Sequence, residues 1–208
     1  MNRQIDRTEY LPISEIEKAK GTIITLLQAT EREGIEELID FLENKSDFFV
    51  APASTKFHGN FRGGLAVHSL NVLHRLNKKR IEFKLSDVSE TNVIIAALLH
   101  DLCKTNVYNK VTWSFKDSSG YWCDYKTYQF NDELPLGHGE KSVIMAQRYI
   151  KLEPCELYMI RWHMGAFEEG DNRQLYSAMD KIPCITAMMS ADMEASTFLD
   201  VVINHKGE

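Results

Sequence analysis

No apolar run in this 208-residue chain approaches the roughly 18 residues that a membrane-spanning helix needs. The first twelve residues, MNRQIDRTEYLP, also lack the apolar core of a secretion signal. A cytoplasmic protein without a membrane partner is therefore the expectation. Cysteine is scarce: Cys103, Cys123, Cys155 and Cys184 are widely spaced and form no CxxC pair. Reduced, mostly buried thiols are expected, and the spacing does not suit a cysteine-rich zinc site. Repeats and low-complexity segments are missing, which leaves a domain of ordinary size with enough chain to bury a core. An excess of positive charge is missing too, since 24 Lys and Arg face 30 Asp and Glu, for a net charge of −6. A broad grip on nucleic acid depends on phosphate neutralisation by Lys and Arg, so this balance argues against one while leaving room for a local basic pocket. The densest basic cluster, His74 to Arg80, falls at the end of a predicted helix, where cations complement the helix dipole.

What is present is the 44% apolar and 26% charged composition of a soluble globular protein. Ser14-Glu15-Ile16-Glu17 has the S-x-x-E form of a capping box and predicts a first helix carrying Ile23, Ile24, Leu26 and Leu27, with Gly34 breaking it. Residues 35–44 place Ile35, Leu38, Ile39 and Leu42 at helical spacing, with acids opposite. Residues 1–46 are thus expected to form N-terminal helices packed on the core. The stretch 47–64 reads as a loop anchored by Phe48, Phe49 and Val50. Helices follow at about 64–79 and 90–103, the second apolar all round ahead of His100 and therefore buried. The period then changes. Residues 105–136 are rich in Thr, Tyr, Trp, Phe and Val around a DSSG turn at 117–120, which predicts a β-hairpin over about 111–115 and 121–130. Helical patterning returns at 139–150, again from Pro154 to about His163, and, after a polar loop at 168–174, over about 183–199. Residues 201–208 read as a tail. The expected fold class is all-α, a helical bundle with a small inserted β-hairpin spanning residues 47–200.

Several polar residues sit among apolar neighbours. Leu65 and Val72 flank His68 at i−3 and i+4, so His68 faces inward. His74, six positions on and roughly 240° round the helix, faces solvent. Asp101 has Ala97 and Leu98 as helical neighbours; Asp192 has Met188, Met189 and Ala195. His138 and His163 stand alone at helix ends. Taken singly, each has an ordinary account: a hydrogen-bonded core histidine, a carboxylate paired with a buried Arg, a cation at a helix C-terminus. Taken together, each would need its own buried partner, whereas one metal centre supplies a partner for all. Imidazole with carboxylate suits Mn, Fe, Co, Ni or Zn rather than calcium.

The order of these residues resembles a known family. His68, the adjacent His100 and Asp101, and the distant Asp192 match the H…HD…D pattern of the HD-domain metal-dependent phosphohydrolases. GGLAVHS (63–69), LLHDLCK (98–104) and SADMEAS (190–196) are similar to that family's sequences around the ligands, and the resemblance covers roughly residues 47–198. His138 in LGHGE and His163 in WHMG resemble the further histidines of its two-metal branch, including the YhaM-type 3′–5′ exoribonucleases, which also carry a short hairpin before the GH pair. The resemblance implies an HD-domain helical bundle with divalent metal ions, a pair drawn from Mn, Fe, Co, Ni, Zn or Mg, held by His68, His100, Asp101, His138, His163 and Asp192. Asp101 would bridge the two ions, which activate a water for attack on phosphorus.

Lys104 lies at i+3 from Asp101 and i+4 from His100, within reach of the same cavity, where a cation grips a phosphate. Asp101 and Lys104 are accordingly the candidate catalytic residues, and Lys104, Arg62 and His58 the candidate substrate contacts. Ser69, Asn71 and Arg75 are placed to support the ligands from behind. Trp113, Tyr121, Trp122 and Tyr125 either stack on a base at the rim or pin the hairpin to the helices. The expected function is hydrolysis of a phosphoester of a nucleotide or similar small molecule. The alternatives are a 3′–5′ exonuclease acting on short single-stranded RNA or DNA, and a non-catalytic nucleotide-binding protein of the same fold.

Overall fold

The computed structural model describes residues 3–167 and 172–207. It is mostly helical, with one small three-stranded sheet. In chain order the elements are β1 (Arg3–Ile5), α1 (Ile13–Gln28), α2 (Ile35–Asp40), α3 (Gly64–Glu82), α4 (Glu90–Leu99), β2 (Tyr108–Lys116), β3 (Trp122–Phe130), α5 (His138–Ala146), α6 (Pro154–Trp162), α7 (Asn172–Lys181) and α8 (Cys184–Glu194). Residues 168–171 of the expected polar loop lie outside the described residues, and 172–174 open α7, a helix that was not among the expected elements.

Helix α4 is the centre of the bundle. Every residue from Asn92 to Leu99 is buried, as an all-round apolar pattern requires, and α3 and α6 pack against it. A capping box starts it, with the Asn92 amide donating to Ser89 Oγ at 3.1 Å and the Ser89 amide to Asn92 Oδ1 at 2.8 Å. The expected run to residue 103 stops four residues early. Asp101 leaves the helical region at φ −103°, ψ 22°, and a short 3₁₀ turn, Leu102–Lys104, follows. His100 and Asp101 thus occupy the C-terminal mouth of the central helix.

Glu156 joins the N-terminal segment to this centre. Its fully buried carboxylate accepts from Arg32 Nη2 at 2.7 Å and Nη1 at 3.0 Å, from Asn92 Nδ2 at 3.0 Å and from the Glu153 amide at 2.7 Å. One acid therefore caps α6, holds the start of α4 and fixes the loop between α1 and α2. Ile23, Leu27, Ile35 and Leu38 join the same apolar core as α4.

Three local expectations are corrected. Pro12, not Ser14, stands at the N-cap of α1: its carbonyl accepts from the Glu15 and Ile16 amides, and no side-chain cap forms. Phe48 and Phe49 are buried, but Val50 is exposed, its carbonyl receiving the Gly63 amide. The hairpin is longer at its first strand than expected, and β1 adds a third strand parallel to β3, with Arg3 opposite Cys123 and Ile5 opposite Tyr125. Three residues are too few to show a period-two pattern.

Helix α8 is clamped to α3 by Arg75 and Lys79, which both pair with Glu194; Arg75 Nε donates at 2.6 Å. Arg75 thus sits behind α8 on a carboxylate of its own, and part of the basic cluster at the end of α3 is spent on this clamp. The Lys79 hydrogen bond holds the Glu194 pKa down at about 2, against 4.5 for a free glutamate. A carboxyl depressed in the folded state stabilises above its unfolded pKa, and that contribution fades as pH falls through the folded value. The wild-type protein is accordingly expected to lose stability between about pH 4.5 and 2 more steeply than Glu194→Gln, as compared by urea unfolding across that window.

Candidate metal centre

Two close backbone approaches bring the site together. A Cβ on Gly64, at the start of α3, would lie 1.9 Å from the Gly59 carbonyl oxygen, so only glycine lets the 47–62 loop fold onto this helix end. A Cβ on Gly139 would lie 2.1 Å from the Arg161 carbonyl oxygen. That contact draws the start of α5 against the end of α6 and sets His138 beside His163, their ring centroids 5.1 Å apart.

His68, His100, Asp101, His138, His163 and Asp192 converge at the mouth of α4. His68 Nε2 lies 3.2 Å from His100 Nε2, 3.2 Å from Asp192 Oδ1 and 3.6 Å from Asp101 Oδ2. His100 Nε2 is 3.4 Å from the same Asp101 oxygen. The other oxygen, Asp101 Oδ1, faces His138 Nε2 at 2.7 Å and His163 Nε2 at 3.5 Å. Asp101 therefore presents one oxygen to each of two histidine pairs. Overlapping groups within this cluster, His68 with His100 and Asp101, His100 with His163 and Asp192, and Asp101 with His138 and His163, are each tight enough to hold one ion. Together they could hold one or two.

The hydrogen bonds on the far side of the rings decide what the near side offers. His100 Nδ1 donates to the Ala97 carbonyl at 2.8 Å and His163 Nδ1 to the Ile160 carbonyl at 2.7 Å, each three residues back along its helix. Both Nε2 atoms are then lone pairs turned into the cluster. His163 Nε2 is buried with no hydrogen-bond partner, an expensive arrangement in a protein interior and a natural one for a metal ligand. The donor set, imidazole Nε2 atoms with carboxylate oxygens, fits a borderline divalent metal.

The electrostatics agree. Burial pushes the His100 pKa below its ordinary value and keeps the ring neutral. Burial would also lower that of His68, but the hydrogen bonds to Asp192 and Asp200 raise it to about 9. For Asp101 burial would raise the pKa, yet Lys104 and His100 hold it well below the usual carboxylate range, and His68 does the same for Asp192. The cluster keeps its acids ionised and attracts positive charge, from protons or from metal.

Asp200 carries no pattern signal in the sequence, yet it is central. Its Oδ2 accepts from His68 Nδ1 at 2.7 Å, and its Oδ1 accepts from Asn71 Nδ2 at 2.7 Å. A wide turn over Ala195–Leu199, closed by the Asp200 amide on the Ala195 carbonyl at 2.9 Å, swings it from the end of α8 back to α3. Its one sequence clue is an acid inside Leu199-Asp200-Val201-Val202. Asn71 reaches His68 through Asp200, whereas Ser69 turns away to the Leu65 carbonyl at 3.0 Å. Asp200→Asn is expected to weaken Mn²⁺ binding about 10–100-fold by calorimetric titration. Unchanged affinity would mean that this carboxylate does not orient His68.

Lys104 Nζ donates to Asp101 Oδ2 at 2.7 Å and lines a cavity of about 510 Å³ beside the cluster. His58 lines the same cavity, its ring 4.7 Å from that of His68, and burial lowers its pKa to about 4. Arg62 is not brought in: it pairs with Glu9 at 3.2 Å and is absent from the described lining. Trp113, Tyr121 and Trp122 are exposed on the hairpin, Trp122 beneath Lys116, and Tyr125 packs on Phe115. The hairpin's base supplies cavity wall instead, through the cross-strand pair Tyr108 and Phe130. Among the thiols, Cys103, Cys123 and Cys184 are buried, Cys155 is half-buried, and none is in a disulfide. Burial pushes the Cys103 thiol up to about 12, leaving it inert beside the site.

No family model, no curated protein and no solved structure matches this chain. No described helix is long and apolar enough to cross a membrane.

Proposed function

We propose that this chain is an HD-type, metal-dependent phosphohydrolase of the cytoplasm, cleaving a phosphoester of a nucleotide or similar small molecule. The observation that carries the proposal is the division of Asp101, with Oδ2 toward His68 and His100 and Oδ1 toward His138 and His163. A carboxylate so divided would offer one oxygen to each of two cations if a pair were bound. When bound, a metal pair supplies an activated water and neutralises charge on the phosphoryl group. The chain's own residues do the rest. Asp192 completes the ring of donors on the α8 side, and Asp200 fixes the tautomer of His68. Lys104, kept protonated by Asp101 despite its burial, stands at the cavity wall to hold a phosphate oxygen. His58 offers a neutral imidazole on the same wall.

One observation favours 3′–5′ exonuclease action as a second reading. A smaller cavity of about 310 Å³ shares Lys104, Tyr108, Phe130 and His138 with the larger one, so a strand end seated at the cluster would have space beside it for a neighbouring nucleotide. A substrate panel with Mn²⁺ tests both: nucleoside monophosphates, cyclic nucleotides and a labelled single-stranded oligonucleotide. Turnover of the small esters with the oligonucleotide intact supports the proposal, and stepwise shortening of the oligonucleotide supports the second reading. Tight nucleotide binding without turnover of any of them would favour a non-catalytic binding protein.

A further inference from the structure

The cavity beside the cluster has a wall that the phosphate chemistry does not use. Met164, Met189 and Met193 line it, together with Phe57, Tyr108 and Phe130. Phe57 is 71% exposed, and Phe130 and Met193 are each 55% exposed, so three large apolar side chains stand at its mouth in water. Clustered apolar exposure at a cavity mouth marks a surface that gains by being covered. Methionine thioethers adapt to the edges and faces of rings, and the aromatic side chains offer flat partners.

Positive charge is sparse in the same place. Among the described lining residues Lys104 is the only lysine or arginine, and it already carries Asp101. Arg62 is held outside by Glu9 and Arg75 by Glu194, while Arg148 lines a different cavity. Once one phosphate has taken up Lys104 and the metal cluster, the remaining phosphates of a polyphosphate chain would meet no lysine or arginine among the described lining residues, and burying unpaired charge is costly.

We infer that the substrate is a single-phosphate ester of an uncharged, ring-bearing alcohol, with the phosphate at Lys104 and the histidine cluster and the ring against the methionine wall. This rests on the phosphohydrolase reading above and narrows it. Hydrolysis adds water at phosphorus and breaks the bond from phosphorus to the alcohol oxygen. The alcohol leaves with a proton from water, and inorganic phosphate remains, with no oxidant or second reactant. A cavity of about 510 Å³ accommodates a ring system of one or two rings beside a phosphate.

The test compares phosphate release by the Mn²⁺-loaded protein from benzyl phosphate, glycerol 3-phosphate and ATP. Benzyl and glycerol phosphates both lose an alkyl oxygen, so intrinsic reactivity does not decide between them. A kcat/KM for benzyl phosphate at least about tenfold above the other two is expected, within the range that apolar pockets deliver. Met193→Asp, at an exposed position, is expected to collapse that ratio. Release from glycerol phosphate or ATP at the benzyl phosphate rate would overturn the inference and leave the phosphohydrolase reading standing. If none of the three releases phosphate while the nucleotide panel above is turned over, the inference alone fails; if that panel is silent too, the phosphohydrolase reading fails with it, and calorimetry with benzylphosphonate and methylphosphonate decides the rest. Tighter binding of the benzyl compound upholds the apolar subsite, and equal binding removes it.

Discussion

Asp101→Asn is expected to abolish binding of both metal ions at once and to lower turnover about 10³-fold or more. An amide keeps the shape of the side chain but loses the charge, and it cannot serve two cations with one oxygen each. Metal-ion catalysis contributes several kcal/mol of transition-state stabilisation, and each 1.36 kcal/mol is about a factor of ten in rate. The variant also leaves Lys104 without its buried anionic partner, so the double variant Asp101→Asn, Lys104→Met separates loss of metal from loss of packing. Metal content by atomic emission, with circular dichroism as the check on folding, reads the result. A folded Asp101→Asn protein that retains two metals would remove the bridging role.

The second large effect lies at the other end of α4 and concerns the fold alone. Glu156→Ala is expected to cost about 3 kcal/mol, because it removes two charge-assisted hydrogen bonds from Arg32, whose side chain is 14% exposed, leaving it the Lys151 carbonyl and the more exposed Glu153, and takes one of two carboxylate acceptors from Asn92 Nδ2. For a chain of this length that corresponds to a fall of roughly 6–12 °C in melting temperature. Replacing both ends of the pair, in Arg32→Met with Glu156→Leu, is expected to recover most of the loss, since an apolar pair of similar volume needs no desolvation of charge. Thermal unfolding of the two variants provides the measurement. Equal destabilisation by the single and double changes would mean that Glu156 acts through capping of α6 rather than through the ion pair.

The helices were legible where burial is one-sided or complete. His68 inside an apolar stripe, His74 outside it and the all-apolar run before His100 each follow from 3.6-residue periodicity, and the structure places all three as that periodicity requires. The costly burial of polar residues pointed to a common centre, and the order of His68, His100, Asp101, His138, His163 and Asp192 resembles the ligand pattern that named the six. Asp200 escaped because its position depends on a wide turn, and periodicity carries no information about where a chain re-enters after such a turn. The pairing of Arg62 escaped for a related reason. Its closeness to His68 in sequence says nothing of Glu9, a partner 53 residues away. Strand β1 was too short to show a pattern, and α7 went unassigned although Leu175, Ala178, Met179 and Ile182 stand at helical spacing, because the polar stretch that opens it reads as loop. The hairpin was visible as a change of period, but its task was not. Its base lines the cavity and its tip stands in solvent.

Mn²⁺ titration of the metal-stripped wild-type chain, followed by native mass spectrometry, tests the central claim most directly. Two ions per chain are predicted, with both sites lost together in Asp101→Asn. A wild-type protein that stays metal-free at millimolar Mn²⁺, Fe²⁺ and Zn²⁺ would contradict the metal centre and everything built on it.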